Sequence, residues 1–371
     1  MVQPGSGASP SVKRFPFLDW MRGLAVVIMI QCHTFNSLTR MDVRDDGRYV
    51  FSQFVGGMAA PLFLFMAGMT MAFLMESLVK REPSPLRRWT GALRRAGYVL
   101  FLAFAFRITN YIGSLPRADT QEIFRVDILN CMGVAMAAMA VAAVVSSESR
   151  AQFAAAAGFA IAAFSPVVAN LNWEGAPALL HDYLAPGSGA GRGRFPFFPC
   201  ASYLAFGLSA GTIVKRAVAE RFERLMQWSV LIGFGLIFTA QYLSNVPYSI
   251  YAKSNFWTDS PTLILIRTGV CLLIMAGCYV WTEYCAPAGW SWMECMGKNS
   301  LMVYWVHVML VYGDIAKPLK RKLSIPQAVL ATLVVMGLMV ALSWAWLRWK
   351  DIRAQRRRRR APVAPAVTAA P

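Results

Sequence analysis

Long apolar segments recur along the whole chain, separated by loops that carry charged residues. Hydrophobic residues make up 57% of the 371 residues, and the mean hydropathy is +0.44. Because a helix crosses a bilayer with about 20 predominantly apolar residues, we predict an all-α, polytopic transmembrane helical bundle of about ten helices. The predicted spans are 17–35, 54–78, 97–113, 125–145, 153–171, 194–211, 225–243, 261–282, 298–313 and 326–347.

The same segments predict three regions of the chain. Residues 1–14 are small and polar and are expected to form a disordered cytoplasmic N-terminus that acts as a retained signal anchor. Residues 15–350 form the transmembrane domain, in which we expect Pro61 to kink the second span and two prolines to shape the sixth. Residues 351–371 form a basic, Pro/Ala-rich cytoplasmic tail.

The formal net charge of +18 indicates orientation rather than nucleic-acid binding. Basic residues concentrate in alternate loops, as positive-inside topology requires, so we predict a multi-pass protein of the inner (cytoplasmic) membrane with both termini cytoplasmic. The five-arginine run near the C-terminus is expected to contact anionic lipids. One loop argues against this topology, since Lys317, Lys320, Arg321 and Lys322 would lie outside. A re-entrant ninth span, or a further helix near Trp290, would move the C-terminus to the other face.

The first span carries an aspartate, an arginine and a histidine, at Asp19, Arg22 and His33. Arg22 and His33 are eleven residues apart, which places them on one helix face at a separation of about 16 Å. Asp19 lies one turn before Arg22 and can pair with it. A lone arginine near a helix end often reaches lipid phosphates, and a lone histidine is often a packed core residue. The shared face favours a function.

Further polar residues lie near the outer ends of the third and fourth spans. Together with His33 they predict a polar pocket in the outer half of the bundle, and His307 is expected near mid-membrane. These candidate substrate-binding residues are Arg107, Asn110, Arg125, Asn130 and His307.

Three chemical roles follow if this pocket is catalytic. A neutral His33 could take the proton from a hydroxyl or amine that attacks an acyl carbonyl. Asp127 could orient and stabilise the resulting imidazolium, and the arginines could bind phosphates or a developing oxyanion. A structural bridge between Asp127 and Arg125 is an equally weighted alternative. The seven cysteines stand singly, without metal-ligand spacing, so no metal is expected.

The segment LDWMRGLAVVIMIQCHTF resembles the first-helix signature of membrane-bound acyltransferases. Four further blocks make the chain more similar to the heparan-alpha-glucosaminide N-acetyltransferase-like catalytic group than to the related type 3 acyltransferases. The resemblance runs from Phe15 to about Tyr312. The blocks are FVGGMAAPLFLFMAGMTMAF, RVDILNCMG, RFPFFPCASYLAFGLSAG and GKNSLMVYWVH.

This resemblance implies transfer of an acyl group, most simply acetyl, from cytoplasmic acetyl-CoA or another acyl-CoA to a carbohydrate or glycan on the outer side. It implies that His33 is the catalytic histidine and that Arg22, with Asp19 in the same block, engages the acyl donor. The lysosomal member has an additional lumenal domain and a differently placed histidine, so its heparan sulfate substrate is not carried over.

Two other functions remain open at this stage. A transporter or flippase of a polar metabolite would show two matched broken helices around a midplane site, and no such pair is evident in the sequence. A non-catalytic scaffold of a glycan-assembly complex would not need His33. The acyl group, the choice between O- and N-transfer, and a homodimeric state are not determined by the sequence.

Overall fold

The computed structural model describes residues 15–113, 120–186, 195–217, 221–286 and 289–360. These residues form helices and no β-strand, as the apolar pattern predicts. The predicted N-terminal region 1–14, most of the glycine-rich loop before Phe195 and residues 361–371 lie outside the described residues. The helices are α1 Pro16–Leu38, α2 Gly47–Gly56, α3 Ala59–Arg81, α4 Pro85–Gly113, α5 Ile128–Met139, α6 Arg150–Ala169, α7 Ala178–Leu184, α8 Phe197–Arg216, α9 Phe222–Ser244, α10 Pro261–Val280, α11 Trp292–Lys298, α12 Ser300–Tyr312 and α13 Ile325–Arg360.

Among the described residues, seven helical segments are long and apolar enough to cross a membrane. They support a multi-pass membrane protein. Two shorter apolar helices, 128–143 and α12, and also α1, which carries Asp19, Arg22 and His33, fall outside these seven, so the predicted total of about ten remains a prediction. The seven are α2 together with α3, α4, α6, α8, α9, α10 with the π-turn that follows it, and α13.

Helix α1 lies at the centre of the bundle, packed against α2, α3, α10, α11, α12 and α13. Pro16 at its start and Asp19 in its first turn favour helix initiation there. Met21, Ala25 and Ile30 have no exposed surface. A Cβ on Gly297 of α11 would lie 1.8 Å from the carbonyl oxygen of Asp19, so only glycine permits this contact.

Helices α3 and α8 form the second close contact of the bundle. A Cβ on Gly207 of α8 would lie 1.9 Å from the carbonyl oxygen of Phe65 in α3. Small residues at such positions let two backbones approach within the membrane, where apolar burial alone does not drive association.

Two of the predicted spans are interrupted. One interruption lies at a different residue from the predicted one, and the other is located more sharply than predicted. The second span breaks at Gly57 and Met58, between α2 and α3, whereas Pro61 falls in the first turn of α3. Proline is tolerated in a first turn because the amide hydrogen it lacks has no partner within the helix. The predicted distortion at the start of the sixth span appears at Phe198, whose dihedrals are not helical.

The C-terminal part of the bundle clarifies two further expectations. The additional helix considered near Trp290 is present as α11, but its seven residues are too few to cross a bilayer, so it does not move the C-terminus to the other face. The predicted domain boundary at residue 350 falls inside α13, which continues as one helix to Arg360.

Candidate active site

Asp19 and Arg22 form the predicted ion pair in the first two turns of α1. Arg22 Nη1 donates to Asp19 Oδ1 at 3.1 Å. Asp19 is only 5% exposed, while the Arg22 side chain keeps 29% of its surface exposed. Because α1 is continuous from Pro16 to Leu38, the separation of about 16 Å between Arg22 and His33 along the axis is retained.

His33 of α1 is held by His307 of α12. Their Nδ1 and Nε2 atoms lie 3.0 Å apart, and the two rings are nearly parallel, with centroids 5.2 Å apart. Val303 presents its carbonyl oxygen to Nδ1 of His307 at 2.7 Å. His307 has no exposed surface, so its ring is fixed by α12 and by His33.

These contacts determine the tautomers of the neutral histidine pair. A carbonyl oxygen can only accept a hydrogen bond, so His307 must carry its hydrogen on Nδ1. Its Nε2 is then an acceptor, and His33 must donate from Nδ1. The proton-accepting nitrogen of His33 is therefore Nε2. Two aromatic rings flank the pair, Tyr312 beside His33 and Tyr304 beside His307.

Arg107 of α4 organises the polar residues predicted near the outer ends of the third and fourth spans. It is 7% exposed and donates to Asp127 Oδ2 at 2.9 Å and to Glu122 Oε2 at 2.9 Å. Its Nε also donates to the backbone carbonyl of Glu122 at 2.8 Å. Arg125 binds the same Glu122 carboxylate at 3.3 Å. The two arginines thus share the Glu122 carboxylate, and the second carboxylate, that of Asp127, pairs with Arg107.

This cluster corrects the predicted role of Asp127. His307, and not Asp127, orients Nδ1 of His33, and the alternative bridge between Asp127 and Arg125 is replaced by the contact with Arg107. Asp127 also begins α5 in a capping box with Asn130, a motif that satisfies amide hydrogens at a helix start. Its two roles in the structure are therefore to neutralise Arg107 and to cap α5.

The remaining predicted residues lie around the same cluster. Asn130 donates to the hydroxyl of Tyr183 at 3.1 Å, and Asn110 donates to the carbonyl of Phe106, one turn back in its own helix.

Burial raises the pKa of Glu122, but its contacts with Arg125 and Arg107 outweigh that effect and lower the pKa below the usual range.

A family of proteins described as heparan-alpha-glucosaminide N-acetyltransferase, catalytic, has a sequence model that matches residues 14–251, well over half of the 371 residues. The chain belongs to this family. No curated protein matches the chain. Membership of the heparan-alpha-glucosaminide N-acetyltransferase catalytic family implies an acetyltransferase enzyme. Arg22, His33 and Asp127 lie inside the matched range, whereas His307 lies beyond it.

Acetyl-CoA is the donor in this acetyltransferase family generally, and its phosphates require cationic partners. Arg22 fits that requirement, because a partly exposed guanidinium on the central helix can bind phosphate oxygens bidentately. Among the described residues, no group of three or more histidine, cysteine, aspartate or glutamate side chains could hold a metal ion.

Further polar residues, in addition to the predicted site residues, lie at about the same depth in the bundle as His33. The ring of Tyr304 packs 4.9 Å from that of Phe106, next to Arg107. From α5, Cys131 donates its thiol hydrogen to the carbonyl of Pro196 at the start of α8, at 3.6 Å. Two turns further along α8, Tyr203 lies close enough to Arg267 of α10 for an electrostatic influence.

These contacts return to α1 through the break between α2 and α3. A Cβ on Gly57 would lie 3.1 Å from Nη2 of Arg267, and one on Gly56 would lie 2.5 Å from Sγ of Cys32. Cys32 precedes His33, so this series of polar groups returns to α1. We call this set the polar ring, and its members are Cys32, His33, Arg107, Asp127, Cys131, Tyr203, Arg267, Tyr304 and His307.

Sequence reasoning missed two features of the polar ring. The partnership of His33 with His307 joins residues 274 positions apart, and no local pattern reports such a contact. Arg267 is recognisable as an arginine within an apolar span, which is a signal of function in itself. Its association with Tyr203 and the helix break becomes visible only in the packed bundle.

Proposed function

We propose that this protein is an integral membrane acyltransferase that moves an acetyl or other acyl group from cytoplasmic acyl-CoA to a carbohydrate acceptor on the outer side of the membrane. The observation that supports this most directly is the His33–His307 pair, whose tautomers leave Nε2 as the proton-accepting nitrogen of His33. Family membership supports the reaction class.

His33 acts as the general base in this proposal. An acceptor hydroxyl or amine loses its proton to His33 Nε2 while its oxygen or nitrogen attacks the thioester carbonyl carbon. The new C–O or C–N bond forms, the C–S bond of the thioester breaks, and the proton passes from His33 to the departing thiolate of CoA. His307 keeps the imidazolium in place, because His33 Nδ1 still donates to its Nε2.

Arg22 binds a phosphate of the donor at the opposite end of α1. The distance of about 16 Å along the helix suits an extended pantetheine chain that carries its thioester to His33. With both termini cytoplasmic, the Arg22 end of the bundle is the inner end and the His33 end is the outer one. This arrangement lets donor and acceptor approach from opposite sides.

A transporter or flippase of a polar metabolite is the second candidate. Two interrupted helices favour it, namely the α2–α3 pair at Gly57 and α8 at Phe198, because broken helices often build midplane binding sites in transporters. Transport would proceed without consumption of acyl-CoA.

Sided membrane vesicles test the proposal. Inside-out vesicles that contain glycan acceptor receive labelled acetyl-CoA from outside, so that donor reaches only the cytoplasmic face. We expect the amount of label on the enclosed glycan to rise in proportion to the amount of this protein in the vesicles. We expect Arg22→Gln to raise the KM for acetyl-CoA and to leave the KM for the acceptor unchanged. Accumulation of acceptor without label or CoA release would favour the transporter, and no labelling at all would contradict the proposal.

A further inference from the structure

Arg267 differs from the other arginines buried among the apolar helices. Arg22 pairs with Asp19, Arg107 with Asp127 and Glu122, and Arg150 with Glu76; these pairs are 2.5–3.1 Å long. Within the described ranges no carboxylate forms an ion pair with Arg267. A cation inside a membrane bundle is costly, so one that lacks a carboxylate indicates a functional role.

The surroundings of Arg267 form a small polar site. Arg267 faces the bundle interior, since Ile264, Thr268 and Cys271 around it are buried. Its guanidinium lies close enough to Tyr203, which is 3% exposed, for an electrostatic influence, and its Nη2 lies beside Gly57 at the helix break. Arg267 itself is half-buried, so part of its side chain is left uncovered by the surrounding helices.

The position of this site matches the acceptor side of the proposed reaction. Arg267 is six residues from the start of α10, or about 9 Å into the bundle from that end. The polar ring places it at the level of Cys32 and His33. The N-terminus of the 23-residue α3 begins just after the break, and its dipole adds positive potential there.

We propose that Arg267 and Tyr203 bind an anionic oxygen group, a carboxylate or a phosphate, on the acceptor of acyl transfer. This inference rests on the proposed function, which makes the ligand an acceptor of the acyl group, but binding of the anion does not depend on catalysis. A guanidinium matches both groups through two parallel hydrogen bonds, and the tyrosine hydroxyl supplies a further donor. The enzyme thereby selects a charged sugar over a neutral one.

Binding of three matched probes tests this proposal without reference to turnover. The probes are a neutral disaccharide, the same disaccharide with a uronic acid carboxylate, and the same disaccharide with a phosphate monoester. For the purified protein we expect the charged probes to bind at least about tenfold more tightly than the neutral one. A stronger response to the carboxylate or to the phosphate then identifies the source of the anion.

Variants at the site separate ligand binding from structural support. Arg267→Gln should remove the preference for charged probes, Arg267→Lys should retain part of it, and Tyr203→Phe should weaken it a few-fold; Arg224→Gln, at an exposed arginine, should leave it unchanged. Melting curves identify folded samples, and Arg267→Lys reports on the site if Arg267→Gln does not fold. An unchanged preference in folded Arg267→Gln, equal loss of neutral and charged binding, or no preference in the wild type would overturn the proposal.

The same probes as acyl acceptors distinguish the two failures. If acyl transfer occurs with equal kcat/KM for neutral and charged acceptors, the anion site is wrong and the acyltransferase stands. If the charged probes bind through Arg267 but no acyl group moves, the anion site stands and the acyltransferase is wrong.

Discussion

The Arg150–Glu76 pair and the polar ring are both polar clusters inside an apolar bundle, but they are built differently. Arg150 has no exposed surface and donates to Glu76 at 2.5 Å, to the Ala142 carbonyl at 2.9 Å and to the Val145 carbonyl at 3.1 Å. Its guanidinium is thus enclosed by acceptors of its own chain. The polar ring instead contains a half-buried Arg267 and a histidine whose Nε2 can take a proton.

This difference separates structural from chemical use of buried polarity. A buried ion pair in which each guanidinium nitrogen donates to an acceptor of the protein stabilises one packing arrangement and is not available to a ligand. A histidine pair fixed by one carbonyl can change its protonation state without moving its rings. Substitutions in the first cluster should therefore change stability, and substitutions in the second should change activity.

The largest effect is expected at Glu76. Glu76→Gln leaves Arg150 buried without its carboxylate, which should lower the free energy of unfolding by about 3–5 kcal/mol. Melting of the purified protein in detergent measures this loss. Glu76→Leu combined with Arg150→Met should recover most of it, and turnover per folded molecule should stay near the wild-type value. A folded Glu76→Gln protein with no acyl transfer would mean that this pair takes part in the chemistry.

A smaller free-energy effect, seen in rate and not in stability, is expected at His307. His307→Phe removes the acceptor of the His33 Nδ1 hydrogen and frees the His33 ring to turn, so kcat should fall about 10²-fold. The KM for acyl-CoA should not change. His307→Gln is the matched control, because a side-chain carbonyl can still accept from His33. Equal rates in both variants and the wild type would remove His307 from the mechanism.

Substitution of Asp127 should have a weaker effect, on both stability and rate. Asp127→Asn keeps a good N-cap for α5 but removes a charge from Arg107, so we expect a stability loss of about 1–3 kcal/mol and a less than tenfold change in kcat. Urea or thermal unfolding and initial rates measure the two quantities. A loss of catalysis by several orders of magnitude, with the fold retained, would restore Asp127 as the partner of His33.

The smallest effect is the pH dependence that Glu122 contributes. Its pKa is lowered in the folded protein by Arg125 and Arg107, against the effect of burial. A lowered pKa means that this stabilisation is fully present above the unfolded pKa and is lost as pH falls through the folded pKa. Because the side chain is 46% exposed, the contribution should stay below about 1 kcal/mol. Melting temperatures of wild type and Glu122→Gln should therefore diverge above the pKa of an unfolded glutamate, about 4.3, and converge in more acidic buffer.

The accuracy of the sequence predictions follows the range of the interactions involved. The helix over 17–35 and the Asp19–Arg22 pair follow from helical periodicity, and the structure has both in α1. The sequence predicts a kink at Pro61, but the break lies at Gly57. Pro61 falls in the first turn of α3, where a proline does not distort a helix. Which helix faces His33 depends on packing across the whole chain, so local patterns could not assign His307 to it.

The most direct test of the account is the acyl-transfer rate of His33→Ala, measured beside its melting temperature and its binding of acyl-CoA. His181→Ala is the matched control, because it removes the histidine that lies outside the polar ring, on α7. We predict that His33→Ala loses about 10²–10⁴-fold in rate and keeps its donor affinity and its fold, while His181→Ala is unaffected. Wild-type transfer in a folded His33→Ala protein would contradict the assignment of His33 as the base.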